Sequence, residues 1–132
     1  METQQELENN RQIEMYKTVI QSGHLALKSL FIMNGGAAVA MAAFLGQAAD
    51  KFDIDKLGGA LLWFALGTFF ACLSQGFNYF TAFIYADTDD NSSKLIVRFG
   101  NGLNVTTIII AVLGFLTFCI GLFNAYQAFS AP

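Results

Sequence analysis

The chain has 132 residues, enough for one domain, with 55% hydrophobic residues, only 13% charged residues and a net charge of −3. Soluble globular domains carry about 25% charged residues, so the composition argues against a soluble fold. The few Lys and Arg residues exclude a nucleic-acid-binding surface.

The charges that are present leave three gaps. No Asp, Glu, Lys or Arg occurs over residues 29–49, 57–86 or 99–132. Each gap exceeds the ~18 residues that mark a membrane-spanning helix. Three wholly buried helices would be the soluble alternative, but a chain this short has no outer shell in which to bury them.

Residues 1–28 are polar and carry four glutamates. A signal peptide instead joins a short basic start directly to an apolar region, so the first span is expected to act as its own uncleaved insertion signal. From Ile13 onward, Ile13, Tyr16, Ile20, Leu27 and Leu30 recur at helical spacing, with Arg11, Glu14, Lys17 and Gln21 between them. This predicts a cytoplasmic amphipathic helix over residues 1–28. With no proline before the first span, this helix either runs straight into that span or lies flat on the bilayer; a flat helix is richer in Lys and Arg, so this one is expected to protrude and pack on a partner.

The first span is predicted over 28–48 and contains FIMNGGAAVAMAAFLG at 31–46. A charged loop, DKFDIDK, fills 50–56. The second span is predicted over 57–85, within an uncharged run of 30 residues. That run is longer than a bilayer needs, so the helix tilts or its last turns leave the hydrocarbon. Tyr79 and Tyr85 suit an interfacial aromatic belt. After a loop over 86–102, the third span is predicted over 103–127. Its β-branched residues 105–110 would favour a strand in water; in a bilayer the length of the uncharged segment selects a helix. Cys72 and Cys119, both inside apolar runs, have neither metal-ligand spacing nor a CxxC pairing and are read as small packing residues.

Five cationic residues, Arg11, Lys17, Lys28, Lys94 and Arg98, fall on one side of this layout, and Lys51 and Lys56 on the other. The positive-inside rule then puts the N-terminus in the cytoplasm and the C-terminus outside.

Little in the chain points to catalysis. There is no GxSxG, HExxH or P-loop. His24, the single histidine, falls about one helical turn before the first span and reads as a headgroup-level residue. Asp87, Asp89 and Asn91 imitate the start of a calcium loop. Ser92 stands where that loop requires Gly and Arg98 where it requires Glu, so the segment reads as a solvated acidic turn. No catalytic, cofactor or metal site is expected.

The spans hold amides and hydroxyls and no charges, which removes the usual basis for a proton relay or voltage sensor. Asn34 and Asn78 fall at similar depth on antiparallel helices and are expected to hydrogen-bond, at about 0.6 kcal/mol for an average bond of this kind. Gln75 and Asn124 extend the polar set, whose alternative role is to line a pore or a small-molecule groove. Small residues recur every four positions: Ala38, Ala42 and Gly46 in the first span, Gly67 and Ala71 in the second, Thr117, Gly121 and Ala125 in the third, with Gly114 and Ala128 flanking. Such stripes let helix backbones approach closely. Gly35 and Gly36 would each cost a helix in water about 1 kcal/mol relative to Ala. In a bilayer the internal hydrogen bonds hold the helix, and the missing side chains form a notch for a neighbour. Phe64, Phe69, Phe70, Phe77 and Phe80 are expected to face lipid or fill gaps.

The stretch MNGGAAVAMAAFLG resembles the first span of a family of short bacterial membrane proteins. In that family an Ile/Met-Asn-Gly-Gly-Ala-Ala-Val-Ala segment is followed by two further apolar segments. The last of these ends in a Tyr- and Phe-containing tail similar to NAYQAF here. The resemblance implies a bacterial inner-membrane protein and carries no assigned reaction and no functional residues.

Taken together, these readings predict an all-α integral membrane protein: an N-terminal amphipathic helix and three transmembrane helices in one domain, embedded in the lipid bilayer. Three helices with small-residue stripes bury little surface alone, so a homo-oligomer or a partner membrane protein is expected. The expected role is a non-enzymatic assembly or accessory subunit. The alternative is a pore-forming protein of the holin or phage-defence type. The topology is open to direct test. Single cysteines introduced at Asp90 and at Phe52 should label from opposite faces of the membrane; labelling of both from one face would refute the three-span layout.

Overall fold

The structure, a computed structural model, describes residues 4–48, 52–86 and 94–130. These form three helices: α1, Gln4–Ala48; α2, Ile54–Ala86; and α3, Lys94–Ser130. There is no strand among the described residues. All three helices are long and apolar enough to cross a membrane, and the spans read from the sequence lie inside them. The Asp87, Asp89 and Asn91 turn lies outside the described residues, as do Asp50 and Lys51.

The N-terminal helix and the first span, read over adjoining residues, form one continuous helix. No proline interrupts it, and Gly23 sits within it with nothing packed against it. Residues 4–26 are exposed all round. Ile13, Tyr16 and Ile20, the apolar positions of the expected amphipathic face, are exposed, as are the charges between them.

Asp53 sets the start of α2. Its carbonyl accepts from the Leu57 N–H at 3.1 Å and its side-chain Oδ1 from the Lys56 N–H at 3.2 Å, the geometry of an N-cap. That backbone bond, aided by the Lys56 ammonium 3.4 Å away, holds the Asp53 carboxyl below its ordinary range. A depressed carboxylate pKa stabilises the folded state above the ordinary value, and the effect is lost as pH falls through the folded one.

Three levels fix the register. His24 of α1 meets Asn78 of α2, Asn34 meets Gly67, and Phe44 meets Phe52 at the connecting end. The numbers fall along α2 as they rise along α1, so the two are antiparallel. Leu30 lies against Gly114 and Phe44 against Phe129, so α3 runs parallel to α1. α2 packs along both neighbours, most extensively along α3, and α1 touches α3 narrowly. One narrow contact is a triangle of Phe44, Phe52 and Phe129 with ring centroids 5.2–5.4 Å apart. Tilted and edge-on rings at this spacing attract beyond their area.

The core is slender: Met41, Leu57, Ala60, Phe64, Ala125 and Ala128. Only 17%, 33% and 22% of the most apolar stretches of α1, α2 and α3 are buried inside the bundle. Side chains such as Leu62, Phe80 and Phe123 point outward at 72%, 59% and 61% exposure. So much outward apolar surface calls for an apolar surrounding.

Phe64 is 1% exposed and lies on Gly121 and Phe118. Phe64→Ala should destabilise the bundle by roughly 2 kcal/mol, mainly through the cavity it leaves. Phe69→Ala, at a position 58% exposed, should change stability by less than about 0.5 kcal/mol. Unfolding titrations in mixed detergent would compare them; equal effects would refute this core.

Candidate functional site

The polar centre of the bundle is built around Asn34. Six residues past Lys28 on α1, its side chain is fully buried where the three helices meet. Its Nδ2 donates to the Leu30 carbonyl of its own helix at 3.1 Å and to the Gly114 carbonyl of α3 at 3.4 Å. Thr117 Oγ1 donates to the same Gly114 carbonyl at 2.8 Å. The Asn34 Oδ1 accepts no conventional hydrogen bond. It lies against Gly67 of α2, so close that a methyl group at 67 would overlap the carboxamide and stand 2.7 Å from Thr117 Oγ1. An oxygen set against a glycine Cα is the arrangement in which weak Cα–H···O contacts form between helices.

Gly67 is thus the notch, and Asn34 is what fills it. The glycines beside Asn34 do less. Gly36 has open space where a side chain would go, and at Gly35 an added methyl would make ordinary contact with Thr68 at 3.8 Å. Asn78 lies elsewhere, its Nδ2 3.5 Å from His24 Nε2. The expected Asn34–Asn78 bond does not form, because α2 presents Gly67, more than ten residues away, at the level of Asn34.

Two further glycines repeat the pattern, seven residues apart on α3. An added methyl at Gly114 would meet the Leu30 side chain at 2.8 Å, and one at Gly121 would meet the Phe64 ring at 2.7 Å. The face formed by Gly114, Thr117, Gly121, Ala125 and Ala128 is buried along its length. On α1, Ala38 is half-buried, whereas Ala42 and Gly46 are exposed, and Met41 takes the inward place. A four-residue step advances about 400° around a helix, so the three steps from Asn34 to Gly46 drift roughly 120° off the contact face. Gln75 is half-buried at the α1–α2 surface; Asn124 is half-buried and donates to its own Ile120 carbonyl at 2.9 Å. Ser74 Oγ is buried on α2 without a partner.

Chemically, this centre is a clip. Both amide hydrogens of Asn34 go to backbone carbonyls, and the hydroxyls of Thr68, Thr81 and Thr107 likewise donate to their own helices. Threonine in apolar surroundings satisfies itself this way. At the level of Asn34 the space between the helices is filled by protein, with no passage within one chain. Among the described residues no group of three His, Cys, Asp or Glu could hold a metal, and Cys72 and Cys119 are free and exposed. The pairings of Leu30 with Gly114 and Phe64 with Gly121 escape a reading based on four-residue stripes; the seven-residue spacing of the two glycines is the signal that would have pointed to them. No family model, curated protein or solved structure matches the chain.

Gly67→Ala should cost about 2 kcal/mol by forcing the amide out of its notch. Gly76→Ala, where a methyl meets nothing, should be neutral or slightly stabilising. Asn34→Ala should lose about 1 kcal/mol and make Gly67→Ala less costly, because the two residues share one contact. Additive effects in the double variant would show that the clip does not hold the helices.

Proposed function

We propose that this chain is a small non-enzymatic membrane protein acting as an assembly or accessory subunit, alone as a homo-oligomer or with a partner membrane protein. It sits in the bacterial inner membrane with its N-terminus in the cytoplasm. The observation that carries the reading is the uncovered stretch of α1 over residues 4–26. At 1.5 Å per residue this is a rod of roughly 35 Å, continuous with the first span. It offers charged and apolar side chains together, Glu14 and Lys17 beside Tyr16 and Val19, the last two 65% and 70% exposed. A rigid arm of mixed chemistry on a membrane anchor suits docking to another chain. The polar groups within the bundle also favour this over a pore, since Asn34 and Thr117 are used in packing.

The full-length chain carrying a photo-crosslinking residue at Tyr16 or Val19 should give discrete protein adducts in cells, and the same residue at Leu62 should not. Inducing the unmodified chain should leave membrane potential, followed with a dye, unchanged. Prompt depolarisation would replace this reading with the pore; an arm without protein adducts would overturn the docking role.

A further inference from the structure

Beside the clip, the outer surface between α1 and α2 opens into a groove of about 540 Å³ lined by His24, Leu25, Lys28 and Phe31 of α1 and Cys72 and Gln75 of α2. A neighbouring apolar groove of about 300 Å³ on α2, which includes Phe69 and Phe77, shares Cys72 with it. Lys28 is the last charge before the first span, yet at its level α2 is far from its end. From Cys72, α2 continues to Ala86 with no charged residue, roughly 21 Å more of apolar helix. Its side chains there, Phe80 and Phe83, are exposed at 59% and 63%. Lys28 therefore stands beside a stretch of α2 that stays uncharged and apolar for several more turns, and a charge without a counter-ion against such a surface is expensive.

The described residues supply no counter-charge. Among the described residues Lys28 has no hydrogen-bond or ion-pair partner. The nearest acidic residue before it on α1 is Glu14, roughly 21 Å away along the helix. The groove also has donors suited to an anion. His24, with Nε2 3.5 Å from Asn78 Nδ2, brings an imidazole bearing a ring N–H, and Gln75 adds an amide.

We infer that this groove binds one anionic phospholipid from the leaflet nearest the N-terminus. Its phosphate sits at Lys28 with Gln75 and His24, and an acyl chain lies along Phe31, Cys72 and Phe69. The anion neutralises Lys28 at its depth, and the chain fills apolar surface that α1 and α2 leave open. The inference is independent of whether the protein is an accessory subunit or a pore.

The test uses the full-length protein, delipidated in a mild nonionic detergent, with phosphatidylglycerol, phosphatidylcholine or inorganic phosphate added and retention read by native mass spectrometry. One phosphatidylglycerol per chain should be retained, with about a fivefold preference over phosphatidylcholine, the scale of one lysine at a membrane surface. Lys28→Gln should remove the preference, and Lys17→Gln, which alters the same side of the membrane outside the groove, should keep it. Cys72→Trp, which fills the groove without changing charge, should reduce retention of both lipids. Equal retention of the two lipids, equal loss in Lys17→Gln and Lys28→Gln, or unchanged retention in Cys72→Trp would overturn the site. Phosphate that competes as well as the lipid would assign the anion to a free phosphate and overturn the lipid.

Discussion

One buried amide organises this bundle. In hydrocarbon no water is available to an unpaired polar group, so an asparagine in a span must find partners on neighbouring helices or in its own. Asn34 does both, through the Leu30 and Gly114 carbonyls. Its position fixes the height of α1 against α3, and its oxygen, resting on Gly67, fixes the height of α2 against both. A shift of one helical turn in any helix would break that fit. An all-apolar contact would tolerate the shift, because lipid tails solvate leucine as well as another helix does.

Around this point the packing follows one rule: a large side chain of one helix enters a gap left by glycine on another. Asn34 meets Gly67, Leu30 meets Gly114 and Phe64 meets Gly121. Close approach brings the dispersion contacts that replace the hydrophobic effect in a bilayer. The aromatic triangle of Phe44, Phe52 and Phe129 closes the end where α1 turns into α2. At the opposite end α1 leaves the bundle as a long exposed arm. The two ends therefore differ in kind: one is tied by the aromatic triangle, and the other carries the arm.

The unequal lengths of the apolar runs give that open end its character. The uncharged part of α1 is shorter than those of α2 and α3, and the clip holds α1 near the level where the others are mid-span. The positive charge of Lys28 and the polar edge of His24, Gln75 and Asn78 are thereby drawn toward a surface that stays apolar on α2. The mismatch follows from the register, which follows from Asn34.

The sequence by itself determined the three apolar spans and their helical type. Charge-free length is a one-dimensional quantity, and a hydrocarbon layer allows the backbone of such a segment almost no alternative to a helix. It also marked the buried face of α3, because Gly114, Thr117, Gly121, Ala125 and Ala128 keep a spacing close to the helical period. It could not determine which residues meet across helices. The partner of Asn34 depends on relative heights, and the four-residue stripe through Ala42 and Gly46 turns away from the contact face by geometry that a linear pattern does not display. Tertiary structure alone decided that the notch for Asn34 lies on another helix, at Gly67, and not in the adjacent Gly35 and Gly36. The reason is physical: a glycine is a packing site only where a neighbouring helix comes close enough to use the missing side chain.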